Sequence, residues 1–299
     1  MASEVRSRNT LDLRAVLLRA MGDKKEHPLT SLDLDPMPAR RWPAGIAGID
    51  GDVLMAGFYG LTAVCGGSKL GKSIVGYQSA LQAACNGWRV IYVDAELDDW
   101  QANQRIRNAT QRTPKEFLYE HPNFVWRQLF EQVSLETLVR DIAGWVEDFD
   151  ETVLIVLDSI HRVAQKMVNK RTRIDFYDAL HDLVNWALCA RRMGKGRIGV
   201  MVMAERNKHG GTKGESLEYA CDVLLKLKGK PSDLVVDLDV ELSREGGGGE
   251  KGRYVRDWSR CQFRVPERVD AWQPELPPLP EEPLLHDDPD EWRPAPRLL

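Results

Sequence analysis

Short runs of aliphatic and β-branched residues recur through the middle of the chain. Each is followed by a stretch whose apolar positions fall three and four apart. The runs LTAVC (61–65), RVIYV (89–93), NFVW (123–126), TVLIVL (152–157), IGVMVM (198–203) and DVLLKL (222–227) predict strands. Helical spacing predicts helices near 72–86, 97–111, 134–149 and 175–193. This alternation predicts an α/β fold, a mostly parallel twisted sheet with helices on both faces. LVVDLDVEL at 234–242 and the glycines at 246–249 predict antiparallel strands at the C-terminal end around a flexible hairpin or loop.

The flanks read differently. NTLDLRAVLLRAM at 9–21 has helical spacing and leads into a turn-rich linker. From Pro266 onward the chain holds nine of its 16 prolines among acidic runs, a composition that does not pack as a domain. The expected division is an N-terminal helix and linker (1–44), an α/β domain (45–265) and a disordered acidic tail (266–299). The N-terminal helix either covers the core or packs on a neighbouring copy. Trp292 offers the tail a protein anchor. Alternatively, the acidic tail competes with nucleic acid for basic loops.

Composition narrows the classes. A net charge of −4 argues against a surface that coats nucleic acid wholesale, while leaving room for local basic patches. The five cysteines are far apart with no CxxC pair, so neither a zinc knuckle nor a disulfide framework is expected. The first ten residues lack the apolar core of a secretion signal, and no apolar run reaches membrane-spanning length. These features predict a cytoplasmic protein without membrane contact.

The stretch GGSKLGKS, directly after LTAVC, is not a core-packing pattern. Its spacing, Gly66-x-x-x-x-Gly71-Lys72-Ser73, is that of a phosphate-binding loop between a strand and a helix. Glycines let successive N–H groups turn inward at a phosphate, and the helix N-terminus adds positive potential. The predicted nucleotide contacts are Gly66, Gly67, Ser68, Lys69, Leu70, Gly71, Lys72, Ser73 and Ile74. Lys72 would reach the β- and γ-phosphates, and the Ser73 hydroxyl would hold Mg²⁺. TVLIVLDS ends a buried strand in Asp158, a second ligand for Mg²⁺ through water. Hydrolysis also needs a group to orient or deprotonate water. The residue after Asp158 is Ser159, so the base must come from elsewhere, and Glu96 in RVIYVDAELDD is the candidate. The alternative for Glu96 is a helix-start carboxylate favoured by the helix dipole.

In their order these motifs resemble the RecA-like P-loop ATPases, nearest to the RadA, KaiC, DnaB-related and small RepA-type plasmid helicase branches. The resemblance covers about residues 45–262 and includes GIAGIDGDVLMAGFYGLTAV, IYVDAEL, VLIVLDSI and ESLEYACDVLLKLKG. It implies ATP with Mg²⁺, a hexameric ring or filament, and usually single- or double-stranded DNA. Glu96 matches the family's catalytic Glu. Glu205 stands where relatives often place the Gln or His that senses the γ-phosphate. Arg206 or Lys208 is the candidate for a cation reaching a neighbour's γ-phosphate.

Two basic segments leave the carboxyl edge of the sheet, where ligands bind in open α/β folds. One carries Arg162, Lys166, Lys170, Arg171 and Arg173; the other carries Lys208 and Lys213 among glycines. The resemblance makes them nucleic-acid loops, and the charge pattern alone also fits two solvated loops. The expected function is a Mg-dependent ATPase acting on nucleic acid in replication, recombination or repair, helicase- or translocase-like. The alternative is a nucleotide-switched, KaiC-like scaffold that binds proteins.

Overall fold

The computed structural model describes residues 41–46, 57–145, 152–168, 175–193, 198–206, 215–244 and 249–266. The predicted N-terminal helix and the tail beyond Pro266 lie outside them, as do Lys170, Arg171, Arg173, Lys208 and Lys213.

Among the described residues nine strands form one sheet: β1 (Leu61–Gly66), β2 (Arg89–Asp94), β3 (Phe124–Gln128), β4 (Val153–Asp158), β5 (Ile198–Glu205), β6 (Val223–Lys228), β7 (Val235–Ser243), β8 (Glu250–Asp257) and β9 (Gln262–Arg264). Their spatial order is β3-β2-β4-β5-β1-β6-β7-β8-β9. The first six pair in parallel and the last three are antiparallel. β1 and β4 are buried at every position, as continuous apolar runs under two helical layers must be. The α/β architecture read from the sequence is the one observed, including the antiparallel C-terminal strands.

The described helices are α1 (Lys72–Cys85), α2 (Asp99–Thr110), α3 (Pro114–Glu120), α4 (Leu135–Trp145), α5 (Ile160–Met167), α6 (Phe176–Met193) and α7 (Glu215–Ala220). Three of them are not expected from the sequence. α3 starts on a capping box, Thr113 with Glu116, and has Pro114 at its first position. α5 replaces the first half of the expected basic loop, because Ile160, Val163, Ala164 and Met167 bury one side of the turn under Arg162 and Lys166. α7 is a short helix before β6.

Two apolar clusters sandwich the sheet. One joins α1 to Tyr92, Met203, the strands β6–β8 and Phe263. The other joins α4, α5 and α6 to β1, β4 and β5. Trp42 and Ala44 belong to the first cluster. Trp42 pairs with Phe58 through two backbone hydrogen bonds and is wholly buried. Its ring lies over Gly199, where an added β-carbon would sit 2.3 Å from the indole, so β5 has room only for glycine there.

Candidate active site

The site is assembled at the carboxyl edge of β1, β2, β4 and β5. β1 runs into the glycine-rich loop, and α1 opens at Gly71, whose φ of 99° lies in the left-handed region. Lys72 folds over the loop, its Nζ donating to the carbonyls of Gly66 at 3.1 Å and Gly67 at 2.9 Å. Burial lowers the Lys72 pKa, opposed by the charges of Glu205, Asp158 and Glu96. Three acids from three strand ends therefore bear on one ammonium.

Ser73 and Asp158 come together from α1 and β4: the Ser73 hydroxyl donates to Asp158 Oδ1 at 3.1 Å. Tyr92 of β2 donates to the other oxygen, Oδ2, at 2.7 Å. Burial pushes Asp158 up from the usual carboxylate range, while the Tyr92 hydrogen bond and the Arg105 charge pull it back. A hydroxyl beside a carboxylate suits a hard cation that keeps waters and phosphate oxygens in its remaining positions. Among the described residues no cluster of three His, Cys, Asp or Glu forms a self-sufficient metal cage. The donors thus fit a Mg²⁺ shared with a nucleotide.

β2 and β4 are in register, with Asp94 directly beside Asp158. Sequence reasoning gives Asp94 no role. Its Oδ1 accepts the N–H groups of Glu96 and Leu97, each at 2.8 Å, and so shapes the turn that carries Glu96. Tyr77 of α1 donates to its other oxygen at 3.4 Å. Burial, reinforced by Asp158, pushes Asp94 up to about 7.

Glu96 itself is exposed at the mouth of the site. The Ser159 hydroxyl donates to its Oε1 at 2.9 Å, and Arg162 Nε lies 3.7 Å from the same oxygen. Ser159, which the sequence marks only as the residue after Asp158 that is not the base, thus holds the candidate base. Arg162, expected in a nucleic-acid loop, leans on Glu96 and also donates to Gln165 at 3.0 Å. Lys166 donates to the carbonyl of Phe130 at 3.0 Å. Neither stands on a flexible loop; both stand on α5.

Glu205 ends β5 in register with Gly66. Its N–H donates to His161 Nδ1 at 3.3 Å, and the buried His161 ring stacks on Phe176. The backbone N–H of Arg206 donates to the Gly66 carbonyl at 3.2 Å, placing Arg206 beside the start of the phosphate loop.

Residues 49–192 match a family described as AAA domain. No curated protein matches the chain. Solved structures do. A KaiC-like protein from the hyperthermophilic archaeon Pyrococcus horikoshii superposes with a TM-score of 0.59 at 17% identity, over 76% of this chain and 99% of that one. A solved ATPase domain gives 0.61 at 11%, over 76% and 92%. The RadB recombinase gives 0.54 at 20%, over 75% and 99%. At these identities the likeness is one of fold, and the fold is the one that places a phosphate loop between β1 and α1.

Proposed function

We propose that this chain is a RecA-like P-loop ATPase that hydrolyses ATP with Mg²⁺ as an oligomer, a ring or filament, acting on nucleic acid. The observation that carries the hydrolytic reading is the convergence of Lys72, Ser73, Asp158 and Glu96 on one edge of the sheet. The loop N–H groups from Gly67 to Ser73 cradle the phosphates, and Lys72 binds the β- and γ-oxygens. Ser73 and Asp158 would hold the cation, which would neutralise charge on the phosphates. Glu96 orients a water and takes its proton as the water oxygen bonds to the γ-phosphorus and the bond to the β-phosphate oxygen breaks. Ser159 and Arg162 keep the Glu96 carboxylate turned toward that water. Glu205 reports the γ-phosphate through His161 to α5 and α6, and Arg206 serves a neighbouring protomer's site.

Arg162 and Lys166 at the carboxyl edge support contact with a phosphate backbone, together with the cations at 170, 171, 173, 208 and 213. The tethering of Arg162 to Glu96 favours a second reading, the nucleotide-switched scaffold, in which α5 relays nucleotide state to a protein partner. Steady-state ATP hydrolysis with and without single-stranded DNA decides between them. Strong stimulation, absent from a Lys72→Ala variant, is the outcome expected of the nucleic-acid enzyme. An unchanged rate favours the scaffold, and failure to bind ATP with magnesium in a calorimeter overturns both.

A further inference from the structure

A loop that aims its N–H groups at a ligand turns its carbonyls outward, and those carbonyls need partners of their own. Lys69, in the middle of the phosphate loop, has φ 61° in the left-handed region. Its carbonyl is met by Arg256 of β8, whose Nη1 donates at 2.7 Å. Nη2 of the same guanidinium donates to the carbonyls of Pro231 at 2.8 Å and Asp233 at 2.6 Å, in the turn between β6 and β7. Arg256 is 3% exposed. Among the described residues no carboxylate lies within ion-pair distance of it. Carbonyl dipoles, the Trp258 ring centred 4.9 Å from its Cζ and the nearby Asp233 charge therefore support the guanidinium behind the loop.

The neighbouring contacts reinforce this junction. The Phe263 ring of β9 lies where a β-carbon on Gly71 would approach to 2.8 Å. Gln78 of α1 clasps the Phe263 backbone, accepting its N–H at 2.9 Å and donating to its carbonyl at 3.4 Å. The antiparallel strands therefore touch the phosphate loop and the helix it opens at three separate points.

We propose that Arg256 is a positioning residue of the phosphate loop: it holds the Lys69 carbonyl so that the loop's N–H groups stay directed at a nucleotide's polyphosphate. The inference rests on the ATPase reading above. A planar fork with five donors reaches three carbonyls at once, which a lysine ammonium on a flexible stem does not reproduce. Its charge also raises the potential that a polyanion meets. Arg256 touches no reacting atom, so its contribution belongs to binding and not to the chemical step.

The test compares MgATP binding and steady-state turnover in the full chain for the wild type, Arg256→Lys and Arg256→Gln. Arg112→Ala, which removes an exposed partner of Glu120, is the control and should match the wild type. For both Arg256 variants, KM and Kd for MgATP should rise about tenfold, the equivalent of losing a charge-assisted contact, with kcat within about twofold of the wild type. A wild type that binds no MgATP overturns the ATPase reading and this inference together. A wild type that binds, with Arg256→Lys binding equally well or losing only kcat, overturns the role of Arg256 alone. If both variants fail to fold, NMR of the wild-type Arg256 side chain decides: Nη protons protected from exchange and shifted on adding MgATP support the clamp, and freely exchanging Nη protons overturn it.

Discussion

The parallel and antiparallel halves of this sheet contribute in opposite ways. β1, β2, β4 and β5 bring the candidate groups to one edge: the glycine-rich loop, Glu96, Asp158 and Glu205. β7, β8 and β9 deliver no candidate catalytic group, yet Arg256 and Phe263 press against the loop from behind. Parallel strands all present their carboxyl ends on one side, so each can end in a functional side chain. Antiparallel strands alternate direction and instead bring flat, hydrogen-bonded surface to the loop. Chemistry and support are thus divided between the two strand arrangements.

The largest expected effect tests the reactive half. Glu96→Gln keeps size and hydrogen bonding but removes the base, so kcat should fall by roughly 10²–10⁴-fold while MgATP affinity in calorimetry holds. A variant that retains turnover would move the base to another residue. Gly71→Ala tests the junction of the two halves. It places a methyl 2.8 Å from Phe263 Cζ at a residue with φ 99°, so thermal unfolding should show a loss of about 1–3 kcal/mol along with weakened nucleotide binding. Unchanged melting would mean that β9 yields freely. Ser159→Ala is the smallest: it removes the 2.9 Å bond to Glu96, and loss of about 1 kcal/mol of positioning gives a several-fold fall in kcat at constant KM.

What is legible in the sequence follows the same division. Continuous apolar runs mark six strands within a residue or two of their observed limits, and the loop spacing points to Lys72 and Ser73 without any contact being known. Asp158 and Glu96 are legible because strand ends in a parallel sheet converge. α3 is equally readable, since Thr113-Pro-Lys-Glu is a capping signal, but a seven-residue helix leaves little periodicity. α5 is hidden because its cations draw the eye from the buried positions beneath them. Asp94 escapes notice because its Oδ1 accepts two backbone N–H groups, which leave no trace in side-chain pattern. Arg256 is unreadable for a related reason. Its partners are carbonyls, which every residue has, and Lys69 lies 187 positions upstream.

The indole of Trp42, seated over Gly199, has a practical consequence. The family match begins at residue 49, yet the hydrophobic interior already includes Trp42, seven positions earlier. A truncated version designed on the family boundary would uncover the back of the fifth strand and lose its largest plug. Any minimal recombinant fragment of this protein has to start upstream of that tryptophan.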